Sequence, residues 1–255
     1  MYHLRTSLGP VELAFTDRHG GVSGAPFDSL NLAFHEDGER AATRRNLALL
    51  LDDFAPGLPV ADLSQVHGNH VVVADPAPGP TSGATSGATS GVGVPARPSA
   101  DGIVTDRPGV VLLVRAADCV PVLLADPAAG VVGAAHAGRP GVAAGVVPRT
   151  VAAMRDLGAR ELTAWVGPHV CGACYEVPAA LQDEVAALVP ETRATTSWGT
   201  PALDIGAGVR AQLAAAGVTV VDDAAACTRE TPDLYSYRRD GAGSGRLAGV
   251  IRVRS

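Results

Sequence analysis

The chain has 255 residues, a formal charge of −6 and a pI near 5.6, with 47% of its residues apolar and 4% aromatic. The acidic balance argues against a nucleic-acid surface, which needs clustered excess cation. All 20 basic residues are arginine, so Schiff-base and P-loop lysine chemistry is excluded as well.

The opening "MYHLRTSLGPVELAF" lacks the basic-then-apolar order of a secretory signal, and no run approaches the roughly 20 apolar residues of a membrane span. "PVELAFT" (10–16) is a short apolar segment ending in the turn-rich "DRHGGVSG". Over 37–54 Ala42, Leu47, Leu50 and Leu51 recur at helical spacing. "HVVVAD" (70–75) reads as a strand. The following "PAPGPTSGATSGATSGVGVPARPS" (76–99) repeats TSGA, and its composition predicts a flexible surface insertion flanked by ordered chain.

Order resumes at "ADGIVTD" (100–106), and two or three strands are expected across 109–136. Helices are expected at 141–157, where Pro148 should start or interrupt the element, and at 178–189 and 203–216. Strands are expected at 161–168, 217–223 and the C-terminal "LAGVIRVRS". Mixed elements joined by short turns predict one α/β (α+β) domain over 1–255, with a mixed β-sheet flanked by helices. No G-x-G-x-x-G follows a strand, so dinucleotide binding has no support.

The chemistry concentrates in "RAADCVPVLLADPAAGVVGAAHAGRPG" (115–141). A hairpin turning at Asp126–Gly130, with Leu124 opposite Val131, sets Cys119 opposite His136. Opposed side chains lie about 4.5–5.5 Å apart at Cβ. His67, in "SQVHGNH", is a third soft donor; His70, inside the strand, is the weaker candidate. Two imidazoles and one thiol leave one tetrahedral position free, the pattern of a catalytic zinc site. The competing readings are a core thiol, or a Cys119 nucleophile with His136 or His67 as base and Asp118 as orienter. Cys171-x-x-Cys174 has no second pair to complete a four-cysteine site and is expected to be a structural loop near the pocket, with Cys227 in the core. The four cysteines are expected to be reduced, cytoplasmic thiols.

Nine segments in order, "FTDRHGGVS", "DSLNLA", "SQVHG", "ADGIVTD", "RAADCVPVLLAD", "AAHAGRPGVAAGV", "WVGPHVCGACYEV", "LDI" and "YSYRRDGAGSGRLAGVI", resemble the multicopper polyphenol oxidoreductase (laccase) family. That family is also described as purine nucleoside phosphorylase/adenosine deaminase and as peptidoglycan editing factor. The resemblance implies a laccase-domain fold similar to a bacterial toxin's cysteine-hydrolase-like domain. It implies Zn2+ held by His67, Cys119 and His136, with Cu2+ as the alternative ion. It also implies phosphorolysis of adenosine, inosine and methylthioadenosine, and deamination of adenosine. Small-molecule substrates follow from this.

Phosphorolysis then needs a fork for phosphate, for which Arg18 and Arg238 are candidates, while Arg239-Asp240 reads as a structural ion pair. Asn31 is a candidate for ribose or base and Tyr237 for stacking on the purine. Asp118 is the candidate proton shuttle for deamination, its other reading being orientation of His67 or His136. Where the family commonly reads HAGWRG this chain has His136-Ala137-Gly138-Arg139-Pro140-Gly141, so Arg139 replaces the usual arginine one position early. Phenol oxidation by a resident multicopper centre has little support, because the seven histidines form no H-x-H pair.

Overall fold

A computed structural model describes residues 1–33, 40–74 and 97–254. The expected insertion at 76–99 therefore lies outside the described residues except for 97–99, as do the first residues of the helix expected at 37–54. In chain order the elements begin with β1 (Tyr2–Leu8), β2 (Val11–Thr16), α1 (Arg40–Phe54), β3 (Val60–Ala61), β4 (Val71–Val73) and β5 (Gly102–Thr105). The middle of the chain forms β6 (Val111–Ala116), β7 (Val120–Asp126), β8 (Val131–Ala137), α2 (Arg139–Ala143), α3 (Val146–Asp156) and β9 (Thr163–Val166). There follow α4 (Ala179–Leu188), β10 (Arg193–Thr195), β11 (Pro201–Leu203), α5 (Ile205–Ala215), β12 (Thr219–Val221), α6 (Tyr237–Asp240) and β13 (Leu247–Val253).

The mixed α/β architecture is present, with its strands divided between two large sheets. One is ordered β1-β2-β13-β6-β3, the other β12-β9-β7-β8-β5-β4, and β10–β11 form a separate pair. Leu13, Phe15, Leu112, Val114 and Ile251 of the first sheet meet Ile103, Leu123, Val132 and Trp165 of the second in a sheet-on-sheet core. The outer face of the second sheet, through Val104, Val122, Leu124 and Ala135, packs on α2 to α5. The outer face of the first, through Ala14, Leu113 and Val250, packs on Leu50 and Phe54 of α1. Every residue of β6, β7 and β8 is buried, which is why these strands read as unbroken apolar runs rather than as alternation.

The helix expected at 141–157 divides into α2 and α3. The break comes at Gly145, with φ +80, ahead of Pro148, which sits in the first turn of α3 where its missing N–H is harmless. The β7–β8 hairpin differs from expectation by two residues: Asp126 pairs with Val131 and Leu124 with Gly133. Asp126 does not enter the turn. It stays in the strand and its Oδ1 accepts the N–H groups of Ala128 and Ala129 at 3.0 Å, closing a shorter turn over 127–130. Among the described residues no helix is long and apolar enough to cross a membrane.

Candidate metal centre and its cleft

Strand direction gathers the chemistry at one end of the six-stranded sheet. β7 and β8 are antiparallel, β8 and β5 are antiparallel, and β5 and β4 are parallel. The start of β7, the end of β8 and the starts of β5 and β4 therefore share one edge. Cys119 precedes β7, His136 lies near the end of β8, Asp101 precedes β5, and His67 is in the loop leading to β4.

There the sulfur of Cys119 and one ring nitrogen each of His67 and His136 lie within 4.8 Å of one another. The two imidazoles meet edge to face with centroids 4.8 Å apart. His136 is buried, Cys119 half-buried and His67 exposed, so the trio opens to one side. With the hairpin offset by two, the position opposite Cys119 is Gly138 rather than His136. The offset keeps His136 on the same face, diagonal to the thiol. A Cβ on Gly138 would stand 2.7 Å from His67 Cδ2 and 3.0 Å from Cys119 Sγ, so glycine is required by close approach.

The sequence reading missed the residue that organises the trio. Asp101, fully buried, accepts from His136 Nδ1 at 2.8 Å through Oδ1. Its two oxygens also accept the backbone N–H groups of Val66 (3.2 Å), His67 (3.0 Å) and Gly68 (2.6 Å), fixing a loop in which His67 has φ +60. An ionised carboxylate only accepts, so Nδ1 of His136 carries the proton and Nε2 is left for a ligand role. Asp101 lies 34 and 35 positions from the residues it serves; "ADGIVTD" was its one signal, with no local spacing to pair it with a histidine.

Burial works against charge on Cys119, but the charge of His136 and hydrogen bonds from both imidazoles outweigh it and lower the thiol's pKa. For His136 burial works downward, and the Cys119 charge and the Asp101 carboxylate outweigh it, raising the imidazole. The site thus favours thiolate, the ligand form of cysteine. Two imidazoles, one thiolate and a carboxylate behind one imidazole fit a zinc ion with an open position.

Asp118 does not orient either histidine, contrary to one of its expected roles. With φ +86 it turns away, Oδ1 accepting from the Thr228 hydroxyl at 2.6 Å and Oδ2 from the Arg238 backbone N–H at 2.5 Å. It lines a cleft of about 950 Å³ with His67, Cys119, His136, Tyr175 and Tyr237. Arg139, Arg238 and Arg246 line the same cleft, and among the described residues none of the three has a carboxylate within ion-pair distance. Arg238 stacks over Tyr175 at 4.8 Å and Arg246 over Tyr237 at 5.8 Å.

Two expected substrate residues are elsewhere. Arg18 is not among the cleft-lining residues: it lies over Tyr235 at 4.7 Å and donates to the carbonyls of Asp28 and Pro232. Asn31 is fully buried and is not among the cleft-lining residues; its Oδ1 accepts from the N–H groups of Ala33 (2.9 Å) and Arg246 (3.0 Å), both of which line the cleft. Arg239 forms the expected pair with Asp240 at 2.9 Å and also donates to the carbonyls of Thr228, Thr231 and Leu234. Cys227, expected in the core, is half-buried.

A family model described as multi-copper polyphenol oxidoreductase laccase matches residues 12–254. The chain belongs to this family. Members similar to it include a purine nucleoside phosphorylase of Streptomyces griseus, 50% identical over 95% of this chain and 94% of that protein. A purine nucleoside phosphorylase of Streptomyces coelicolor is 47% identical over 97% of each. Among solved structures, a Neisseria meningitidis protein of family DUF152 superposes with TM-score 0.81 at 33% identity, covering 99% of both chains. YlmD from Geobacillus stearothermophilus superposes with TM-score 0.80 at 31% identity, over 96% of this chain and 93% of that one. The "multi-copper" of the family name finds no paired-histidine cluster in this laccase-family chain, whose seven histidines form no H-x-H.

Proposed function

We propose that the chain is a zinc-dependent enzyme that splits purine nucleosides by phosphorolysis, releasing the base and ribose-1-phosphate, and that it deaminates adenosine in the same cleft. The names of the two Streptomyces relatives support the reaction class. The observation that carries it is the meeting of an imidazole–thiol trio with three arginines that have no carboxylate partner among the described residues. Adenosine, inosine and methylthioadenosine are the proposed nucleosides.

In this reading Arg238, Arg246 and Arg139 hold phosphate beneath the ribose, planar forks matching its oxygens. Asp118 fixes Arg238 through its backbone N–H, and Asn31 does the same for Arg246. Tyr237, 55% exposed on the rim, offers a face to the purine. A zinc ion held by His67, Cys119 and His136 supplies Lewis acidity toward the substrate when bound. Asp118 is the one carboxylate among the described lining residues, and it is the proposed carrier of the proton to the amine lost in deamination. A cytoplasmic setting, keeping Cys119 reduced, suits this chemistry.

Incubation of zinc-loaded protein with inosine tests it: hypoxanthine and ribose-1-phosphate should appear with phosphate and not without it. No ribose-1-phosphate at full zinc occupancy overturns the assignment. A second reading, a Cys119 hydrolase acting on an amide of a cell-wall precursor, is favoured by the thiolate–imidazolium tendency of Cys119 and His136. It predicts activity that survives a chelator and is abolished by a thiol alkylator, whereas the zinc reading predicts loss with the chelator alone.

A further inference from the structure

Cys171-x-x-Cys174 lacks a partner pair in the sequence, and the fold supplies one of a different composition. β9 and β12 are parallel neighbours, Thr163 beside Thr219 and Trp165 beside Val221, so both leave the sheet at the cleft end. The segments that leave them stay side by side. His169 N–H donates to Ala226 O, and Thr228 N–H donates to His169 O, each at 3.0 Å.

Each segment then breaks into the same turn. The N–H groups of Cys174 and Tyr175 donate to Cys171 O at 3.0 and 3.1 Å; those of Glu230 and Thr231 donate to Cys227 O at 3.2 and 3.0 Å. Cys171-x-x-Cys174 and Cys227-x-x-Glu230 are thus two like knuckles facing each other. Their three sulfurs and one carboxylate oxygen all lie within 4.8 Å of one another. Sulfurs about 2.3 Å from a tetrahedral zinc stand about 3.8 Å apart, so the donors are already gathered close to a coordination shell.

We propose that Cys171, Cys174, Cys227 and Glu230 form a second metal centre, a closed structural site for zinc or a similarly thiophilic divalent ion. Four protein donors leave no open position, in contrast to the trio in the cleft. Three thiolates and a carboxylate overcompensate a divalent ion by two charges. Arg229 sits inside the second knuckle, between Cys227 and Glu230, and stacks over Trp198 at 5.0 Å, so a guanidinium accompanies the site on which that excess falls. The ion would tie together segments that form the cleft wall. Val170 N–H donates to the Asp118 carbonyl at 3.1 Å, the Thr228 hydroxyl holds the Asp118 carboxylate, and Tyr175 lines the cleft.

The test is cobalt(II) titration of reduced Cys119→Ala/His136→Ala protein, in which the cleft trio is dismantled and no nucleoside chemistry is read. This variant should bind about one cobalt per chain with a near-ultraviolet sulfur-to-cobalt charge-transfer band that zinc abolishes. Adding Cys171→Ser/Cys227→Ser should remove the band. Glu230→Gln, which keeps the side-chain volume, should weaken cobalt binding at least tenfold and shift the visible bands. If the folded, reduced variant takes up no cobalt, the proposal is overturned whatever the fate of the phosphorylase reading. It is equally overturned if Glu230→Gln and the double serine variant bind cobalt unchanged, or if anaerobically purified protein carries a disulfide among these thiols.

Discussion

The Asp101 carboxylate and the His136 imidazole meet at 2.8 Å with neither side chain more than 4% exposed, and the same carboxylate receives three consecutive backbone N–H groups from the His67 loop. One buried group therefore sets the tautomer of one metal-ligating candidate and the backbone of another. Asp101→Asn keeps the shape and removes the charge. Zinc affinity, measured by competition with a chromophoric chelator, should fall about 10–100-fold. Unchanged affinity would mean that the trio does not depend on Asp101.

Gly138→Ala separates crowding from backbone strain. Gly138 has φ −76, which alanine adopts freely, so the only penalty is the methyl group against His67 and Cys119. Zinc affinity and phosphorolysis should drop at least tenfold. The loss of stability to urea should stay within about 1–3 kcal/mol, the usual range for overpacking. A variant with full zinc affinity would show that the ligands do not need the space opposite Cys119.

Adjacent arginines should part in their effects. Arg238→Ala should raise the KM for phosphate with little change in melting temperature, because its side chain has no carboxylate partner among the described residues. Arg239→Ala leaves the carbonyls of Thr228, Arg229, Thr231 and Leu234, and Asp240, without this donor, and should destabilise by about 2–4 kcal/mol. Steady-state kinetics and urea unfolding distinguish the two; equal effects on KM would refute the division.

Asp126 gives the fold an acid-sensitive point. Burial raises its carboxyl, but the N–H groups of Arg160, Ala129, Glu161 and Ala128 outweigh this and lower it below the usual value. A folded pKa below the unfolded one contributes stability fully present above about 3.9, the unfolded value, and lost as pH falls through the folded pKa. Asp126→Asn should be less stable than the parent at pH 7, by about 1–3 kcal/mol, with the gap closing below about pH 4. A gap that is constant with pH would remove Asp126 from the account.

Where the sequence was readable, and where it was not, follows from how far each interaction reaches along the chain. The apolar runs at 111–116, 120–126 and 131–137 announce buried strands because both faces are covered. The His67, Cys119 and His136 trio was visible as residue types, and the hairpin placed two of them on one face even with the register wrong by two, since strand faces repeat with period two. The register itself was hidden because the Asp126 carboxylate closes the turn from within the strand. Asp101, Arg246 and Glu230 were invisible for a different reason. Each acts on groups brought near by the sheet, with no spacing that local periodicity could register. The division into two sheets was likewise a matter of which strands share edges, which short turns do not specify.

The described residues on either side of 75–96 are held in place. Ala74 N–H donates to Val104 O, Ser64 N–H to Pro98 O, and the Arg97 guanidinium meets Asp62 at 2.7 Å. Arg97 and Ser64 also line the cleft, so the described chain resumes in the cleft wall itself, and loosening the Arg97–Asp62 pair would be felt there.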